Sequence, residues 1–404
     1  MGMCARYQLV DTPEAFERAA SSLSAGRGPF AIDTERASAY RYDNRAFLVQ
    51  IHRRGAGTYL FAPEGYRAEL TRALAPVLNG AEWIVHAAPE DLPSLADLGL
   101  HPGRLFDTAL AGRIAGYNKP NLGAMVKEFC GVELEKSHGR ENWSAVPLPE
   151  DWLDYAADDV IYLGDLADAQ AELLELQGKT DAAEQEFSHI VDEFAHWSPQ
   201  MPTWTMLKGT SSLHHARSRA VARAVWTARD EEASRRDVSP TTILPNKVII
   251  AIAKEQPSRA CELARIDGFP RRRRGATRKW FTVVEKAYAS DPATWPQKQR
   301  STGGAPGKSA WQRHHSESWE ALQTMRAVVA ETATDLNISP EILLTPAILR
   351  EAVWALTEGD VVNQTHSVAS LLADLGARPW QIEHTAALFT MNLGFSARID
   401  EAEG

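Results

Sequence analysis

The segment Phe30-Ala31-Ile32-Asp33-Thr34-Glu35 joins an apolar run to two acidic side chains that lie two residues apart. The apolar residues at its start predict a β-strand. Side chains two apart share one face of a strand, so Asp33 and Glu35 would project together. Like charges side by side destabilise a sheet, and a divalent cation reverses that cost because hard ions bind carboxylate oxygens. The segment therefore predicts a metal site, although a solvated edge strand would show the same pattern.

The first half of the chain alternates strand and helix patterns. Three more runs rich in β-branched or aromatic residues predict strands, at 47–51, 58–61 and 83–85. Helical patterns follow at 66–78, 121–130 and 150–176. This mixture predicts an α/β domain.

Beyond residue 180 the strand signal disappears and only helical periodicity remains. The run from Asp291 to Ser309, with three prolines, several turn-forming residues and no apolar period, predicts a flexible connector. We therefore expect an α/β domain over 1–200, a helical domain over 210–292, a flexible linker over 293–310 and a second helical domain over 311–397.

Charge is distributed unevenly along the chain. The net charge is −10, with balances of −14 over residues 1–200, +11 over 201–300 and −7 over 301–404. A basic middle between acidic flanks indicates a polyanionic partner. The alternative is a solvated surface of uneven charge.

Composition bounds the class of protein and its compartment. Hydrophobic residues make up 44% and charged residues 24%, as in soluble globular proteins. No run approaches the roughly 18 apolar residues of a membrane span, and Met1 to Val10 lacks the apolar core of a signal peptide. Three widely spaced cysteines (Cys4, Cys130 and Cys261) indicate neither a disulfide framework nor a zinc site. We therefore expect a protein of the reducing cytoplasm.

Two further stretches place carboxylates at element boundaries. In His86-Ala87-Ala88-Pro89-Glu90-Asp91 a strand ends and a proline begins a helix. Asp91 could act there as a ligand, or only as a cap or dipole partner. In Tyr155-Ala156-Ala157-Asp158-Asp159, Tyr155 and Asp159 lie four apart on one helix face, and Asp158 is expected to face solvent. An exposed acidic helix with one packed tyrosine is the alternative.

Taken together, the D-x-E strand, the strand-to-helix aspartate and the Y-x-x-x-D helix resemble the ribonuclease D family of DEDD-type exonucleases, in the subgroup with tyrosine in the third motif. The resemblance extends to Leu105-Phe106-Asp107-Thr108 with Asn121-Leu122, and to the stretch from Leu134-Glu135-Lys136-Ser137 through Arg140 to Trp143 and Pro147-Leu148. The chain departs from the family at Asn142, where aspartate is common, and at Val146, where arginine is usual. Neither position is a metal ligand in the family, so these departures bear on substrate detail.

The resemblance implies a ribonuclease H-like fold with a mixed sheet, and phosphodiester hydrolysis with two Mg²⁺ or Mn²⁺ ions. The implied ligands are Asp33, Glu35, Asp91 and Asp159. Tyr155, with a reference pKa near 10, is a poor base at neutral pH and is expected to orient the attacking water. His86 and His138 could support the ligands or contact substrate, and a packed or surface histidine is the alternative for each.

The basic middle of the chain resembles an HRDC domain, the helical nucleic-acid-binding module of ribonuclease D and RecQ-type helicases. Ser239-Pro240, Ile243-Leu244-Pro245 and Gly268-Phe269 carry the resemblance. Its Arg271, Arg272, Arg273 and Arg274, followed by Lys279 and Trp280, combine phosphate-pairing charge with a stacking surface and are expected to bind nucleic acid. Phe281 is expected to be core.

Residues 316–396 resemble a second, degenerate HRDC-type domain. Ser339-Pro340 followed by Ile342-Leu343 repeats the pattern of the first. The acidic balance argues against direct phosphate binding, so we expect this domain to pack against the others and enclose a substrate channel.

The sequence thus favours an exoribonuclease that trims the 3′ ends of structured RNA, such as tRNA precursors, and releases nucleoside 5′-monophosphates. A DNA 3′→5′ exonuclease is the alternative among enzymes, because such a site contacts the backbone and could accept either sugar. A catalytically inactive RNA-binding scaffold is the alternative outside enzymes, and the presence of Tyr155 and all the carboxylates argues against it.

Overall fold

The computed structural model describes residues 6–134, 138–199, 201–298, 304–358 and 367–393. Within them, strands occur only in the first part of the chain and form one six-stranded sheet in the order β1-β4-β3-β2-β5-β6. The strands are β1 (Gln8–Val10), β2 (Arg27–Arg36), β3 (Ala46–Arg54), β4 (Gly57–Phe61), β5 (Glu82–Val85) and β6 (Arg104–Asp107).

The sheet is mixed, as predicted. β2 pairs antiparallel with β3, and β3 antiparallel with β4. The pairs β1–β4, β2–β5 and β5–β6 are parallel. All four predicted strands are present. The sequence missed the two edge strands, β1 and β6, because three or four residues are too few to show a period of two.

Helices cover both faces of the sheet, and helices joined by loops and turns form the described chain beyond it. In the first domain they are α1 (Pro13–Ala25), α2 (Arg67–Leu78), α3 (Leu92–Ala96), α4 (Thr108–Ile114), α5 (Leu122–Cys130), α6 (Glu150–Ile161), α7 (Leu163–Leu176) and α8 (Thr180–Phe194). The single helix predicted over 150–176 is two helices divided at Tyr162. This division lets α6 pack on β3 and β4 while α7 packs on α4 and α5.

The two helical domains repeat one arrangement of long, short, medium, short and medium helices. The first contains α9 (Ala216–Arg236), α10 (Pro240–Ile243), α11 (Asn246–Glu255), α12 (Ala260–Leu263) and α13 (Ala276–Ala289). The second contains α14 (Lys308–His314), then α15 (Ser316–Asp335), α16 (Pro340–Leu343), α17 (Pro346–Glu358), α18 (Val368–Asp374) and α19 (Pro379–Leu393). A left-handed residue follows the long helix in both, Asp237 with φ 47° and Asn337 with φ 49°. The two helical domains, which share a Ser-Pro pattern in sequence, therefore also share a fold.

The second helical domain is fused to the α/β domain by a shared core, whereas the first has its own. One hydrophobic cluster runs from the sheet through α8 into α15, α17 and α19. At this boundary the buried Glu186 accepts hydrogen bonds of 2.7 Å from Nε and NH2 of Arg378 and one of 2.9 Å from Trp380 Nε1. A separate cluster fills the basic domain, which is joined to the α/β domain through Arg45–Asp237 and Tyr42–Asp230 contacts.

The predicted flexible linker is held by hydrogen bonds at both of its described ends. Arg223 donates a hydrogen bond to the Thr294 carbonyl, and Arg219 donates one to the Pro296 carbonyl. On the other side, Ala305 donates its backbone N–H to Glu351. Residues 299–303 lie outside the described part of the chain, as do Cys4 and the family-like Glu135-Lys136-Ser137. None of the described helices has the length and apolar character to cross a membrane.

Candidate active site

Three of the predicted ligands meet at one point between the sheet and α6. Asp33 and Glu35 lie in β2, and Asp159 lies in α6, which packs across β2, β3 and β4. One ligand oxygen of each lies within 4.8 Å of those of the other two. Carboxylates at this spacing from two separate elements can share a cation.

Asp91 lies outside that trio of ligand atoms but within its electrostatic reach. After burial, the charge of Asp91 is the largest cause that raises the pKa of Asp33 well above its usual range. Asp91 precedes α3 without any side-chain capping hydrogen bond. The Asp91 side chain therefore does not cap α3, which was the alternative to a role as a ligand.

A buried hydroxyl pair fixes the Asp91 carboxylate. Thr34, between the two acidic residues of β2, donates a 2.6 Å hydrogen bond from Oγ1 to Asp91 Oδ1. Ser94 Oγ lies 3.0 Å from Thr34 Oγ1 and donates to the Asp91 carbonyl. Both hydroxyl residues are buried, so they hold Asp91 in a single orientation.

Asp107 supports the turn that carries Asp91. Its buried carboxylate accepts hydrogen bonds from the backbone N–H groups of Ala87 and Ala88, at 3.0 and 2.8 Å, and from two more at the start of α4. Ala87 has the left-handed φ of 62° that this turn requires. His86 lies 2.8 Å from Thr108 Oγ1, and burial lowers its pKa to about 4. His86 is therefore a neutral, packed histidine, as the structural alternative predicted.

Tyr155 lies one helical turn before Asp159 in an aromatic cluster. The rings of His138 and Tyr155 are 5.6 Å apart and nearly perpendicular, and Trp143 and Trp152 pack beside them. Burial, followed by the negative charges of Asp159, Glu35 and Asp33, raises the pKa of the Tyr155 hydroxyl above its usual range. A hydroxyl of raised pKa keeps its proton and can donate a hydrogen bond.

The donor set fits a hard divalent cation. Burial is the largest cause that raises the pKa of Glu35 to about 9, that of Asp159 to about 7 and that of Asp91 to about 6. Mutual repulsion adds to this effect, and Arg36, 3.7 Å from Asp91, opposes it. Clustered oxygen ligands that repel one another are what Mg²⁺ or Mn²⁺ would stabilise in the ionised form.

These raised pKa values predict the pH dependence of stability without metal. The folded protein binds more protons than the unfolded chain between the pKa of an unfolded glutamate, about 4.3, and that of folded Glu35, about 9. Stability is therefore lost as pH rises through this window. In EDTA the melting temperature of the wild type relative to Glu35→Gln should fall from pH 5 to pH 9, and saturating Mn²⁺ should reverse the trend. A relative melting temperature that rises with pH in EDTA would contradict the environment described for Glu35.

Two predictions about individual side chains near these sites are wrong. Asp158 was expected to face solvent, but its side chain is only 15% exposed and forms an ion pair with Arg6. Trp280 was expected to stack with bases, but its ring is 2% exposed in the core of the basic domain. Packing of α13 on α9 buries the ring, so nucleic acid cannot reach it. Phe281 is part-buried against the same core, as expected.

The predicted arginine run does lie on the surface. Arg271 to Arg274 are exposed in the turn before α13, and none of them forms an ion pair with a described residue. Arg273 and Arg274 line a cleft of about 430 Å³ together with Arg236, Lys279 and Glu232. Glu232 pairs with Arg236 and Lys279, which leaves the run itself free to bind anions.

Comparison with known proteins agrees with this geometry. Residues 7–175 match the model of a 3′-5′ exonuclease, residues 218–276 that of the HRDC domain, and residues 304–393 that of a 3′ to 5′ exonuclease C-terminal domain. A ribonuclease D of Gluconacetobacter diazotrophicus is 32% identical over 191 residues, which are 46% of this chain and 48% of that protein. A crystal structure of a protein from Bifidobacterium adolescentis is 30% identical, with a TM-score of 0.82 over 96% of this chain and 97% of the other.

The chain carries a 3′-5′ exonuclease domain followed by an HRDC domain, and its first half is similar to ribonuclease D proteins. Its fold also matches Escherichia coli RNase D, at 22% identity and a TM-score of 0.70 over 96% of this chain and 98% of the other. The sequence alignments span about half the length of the ribonuclease D proteins they match. The third domain, which resembles a second HRDC domain, matches the model of the 3′ to 5′ exonuclease C-terminal domain and not that of the HRDC domain.

The two departures from the ribonuclease D pattern lie together beside the site. Asn142 Oδ1 accepts a 2.6 Å hydrogen bond from Ser144, which in turn accepts one from Arg41 Nε. Val146 is 91% exposed. Both positions are on the loop that leads into α6, and neither is among the clustered carboxylates.

Sequence reasoning missed several residues that shape the site. Thr34, Ser94 and Asp107 gave no distinctive signal, because their partners are distant in the chain. Gln50 did give one. It is a single polar residue inside the apolar run Phe47–Ile51, and it proves to be fully buried beside Asp33.

Proposed function

We propose that this chain is a metal-dependent 3′→5′ exoribonuclease that releases nucleoside 5′-monophosphates. The observation that carries the proposal is the set of Asp33, Glu35 and Asp159 oxygens within 4.8 Å, of which Glu35 is buried and the other two are half-buried, with Asp91 beside it and Tyr155 one turn away. Its location in a 3′-5′ exonuclease domain and the match to ribonuclease D proteins support the reaction class.

Each residue of the site has a role under this proposal. Asp33, Glu35, Asp91 and Asp159 would hold two divalent cations. When bound, such ions supply the Lewis acidity that lowers the pKa of the attacking water and stabilises charge on the leaving 3′ oxygen. The Tyr155 hydroxyl, which keeps its proton, orients the water by donating or accepting a hydrogen bond. Thr34 and Ser94 keep Asp91 in place, and Asp107 keeps its turn in place.

The substrate is proposed to be the 3′ end of structured RNA, such as a tRNA precursor. The Escherichia coli relative is described as an exoribonuclease involved in structured RNA processing. The two free cysteines of the described chain, Cys130 and Cys261, are compatible with the reducing cytoplasm where such RNA is processed. DNA hydrolysis is the alternative.

A competition experiment tests the choice of substrate. Matched RNA and DNA oligonucleotides, each with a single-stranded 3′ end, are mixed with the protein and Mg²⁺ or Mn²⁺, and the loss of each is followed. We expect RNA to be shortened faster than DNA. Equal or faster loss of DNA would favour the DNA exonuclease.

The basic domain is proposed to bind the RNA backbone through Arg271, Arg272, Arg273 and Arg274. Replacing all four with alanine should reduce the slope of log K against log salt by up to about 3, at roughly 0.7 per single-strand contact. Binding should weaken alike for all RNA sequences, because phosphate contacts carry no base information. A salt titration of RNA binding measures this, with Trp280 left intact to preserve the core. An unchanged slope would place the RNA elsewhere.

A second candidate binding surface for RNA lies where the catalytic and third domains meet. A cleft of about 890 Å³ has Arg113 and Lys119 on its catalytic side and Asn337 and Glu341 on the other, and it extends to Ala87, whose turn leads to Asp91. Neither cation forms an ion pair with a described residue. If RNA follows this cleft, Arg113→Ala with Lys119→Ala should lower the salt slope by about 1.4, also at 0.7 per contact. A slope that changes only in the arginine-run variant would exclude the cleft.

A further inference from the structure

Gln50 is a buried amide that has no hydrogen-bond partner. Its side chain is 0% exposed, and neither Nε2 nor Oε1 has a partner in the described structure. Buried polar groups nearly always have partners, so an unpaired amide requires an explanation. A residue of this polarity in an apolar strand indicates that the amide has a partner in another state of the protein.

The position of Gln50 identifies the partner. Gln50 is directly opposite Asp33 in the antiparallel pair of β2 and β3. Directly opposite residues share one face of the sheet with Cβ atoms about 5 Å apart, and diagonal neighbours such as Glu35 remain within reach of a long side chain. Leu48 and Leu60, which flank Gln50 on this face, pack under Ala156 and Ala157 of α6. The amide is therefore enclosed between the carboxylates of β2 and the helix that carries Asp159.

We propose that Gln50 is a positioning residue that donates a hydrogen bond from Nε2 to the Asp33 or Glu35 carboxylate when a divalent cation is bound. An ionised carboxylate is a much stronger acceptor than a protonated carboxyl group. Cation binding requires the ionised form of the carboxylate ligands. The amide thus has an acceptor in the metal-bound state, where ligating carboxylates are normally hydrogen-bonded in turn.

The test rests on the proposed metal site but does not depend on activity. Gln50→Met removes the amide and keeps a side chain of similar length. The matched control is Leu48→Met, a volume-conserving change on the same face of the same strand, opposite Glu35. Mn²⁺ affinity is measured by titration, and melting temperature is measured with EDTA and with Mn²⁺.

We expect Gln50→Met to bind Mn²⁺ roughly 10- to 100-fold more weakly than the wild type, the usual effect of removing a hydrogen-bond partner of a metal ligand. In EDTA its melting temperature should equal or exceed that of the wild type, because an unpaired buried amide has been removed. Leu48→Met should keep the wild-type Mn²⁺ affinity.

Two outcomes would overturn the role of Gln50. One is wild-type Mn²⁺ affinity in Gln50→Met. The other is a melting temperature of Gln50→Met in EDTA below that of the wild type, together with an equal loss of Mn²⁺ affinity in Leu48→Met. That result would make the effect one of packing. A wild-type protein that binds no Mn²⁺ would instead overturn the metal site itself. Asp33→Asn distinguishes these cases, because it should lose Mn²⁺ affinity whether or not Gln50 has a role.

Discussion

Asp33→Asn is expected to reduce RNA hydrolysis by several orders of magnitude while RNA binding is retained. The carboxylate of Asp33 is enclosed with those of Glu35 and Asp159, and a neutral amide cannot replace an anionic ligand of a hard cation. Binding is retained because the proposed phosphate contacts lie on other surfaces. Single-turnover hydrolysis of labelled RNA and equilibrium binding measure the two effects separately.

The matched control for this variant is Asp168→Asn. The Asp168 side chain is 63% exposed, and its partner Arg54 also pairs with Asp165. Losing one exposed pair changes stability little, so hydrolysis should stay at the wild-type level. Near-normal hydrolysis by Asp33→Asn would show that the carboxylate cluster is not the catalytic site.

Tyr155→Phe is expected to lower kcat by about 10²-fold or more, the scale of a positioned proton-handling group. KM should change little, since the ring still packs against His138 and Trp143. Steady-state kinetics on a short RNA measure both constants. Because the pKa of the Tyr155 hydroxyl is raised, its deprotonation should not limit the rate near neutral pH.

Tyr162→Phe is the control for the loss of a hydroxyl. Tyr162 ends α6, and its hydroxyl forms no hydrogen bond with a described residue. Its removal should leave kcat unchanged. If Tyr155→Phe raises KM while kcat is unchanged, Tyr155 contacts substrate and does not orient the water.

The sequence predicted the parts of the site that lie close together in the chain. Asp33 and Glu35 share a strand face because of a period of two, and Tyr155 and Asp159 share a helix face because of the helical repeat. The order of the motifs along the chain resembles that of the family, and this resemblance predicted that both pairs lie close to Asp91. What these patterns could not give is the set of partners from distant segments, such as Asp107 for Ala87 and Thr34 for Asp91.

The errors have a common physical cause. Whether Asp158 faces solvent depends on Arg6, far away in the chain, and whether Trp280 is exposed depends on the packing of α13 on α9. The local periodicity of the sequence predicts neither contact. Likewise, composition could not show that the described ends of the linker are bound by Arg219, Arg223 and Glu351. Burial and tertiary hydrogen bonds decide such cases.

Metal-dependent hydrolysis of RNA from the 3′ end can be tested with a product ladder. Single-stranded RNA labelled at its 5′ end is incubated with the wild-type protein and Mg²⁺ or Mn²⁺, or with EDTA. Labelled products should shorten one nucleotide at a time with release of nucleoside 5′-monophosphates, and no products should form in EDTA or with Asp33→Asn. Cleavage that persists in EDTA, internal fragments without a ladder, or no hydrolysis with either metal would contradict metal-dependent hydrolysis from the 3′ end.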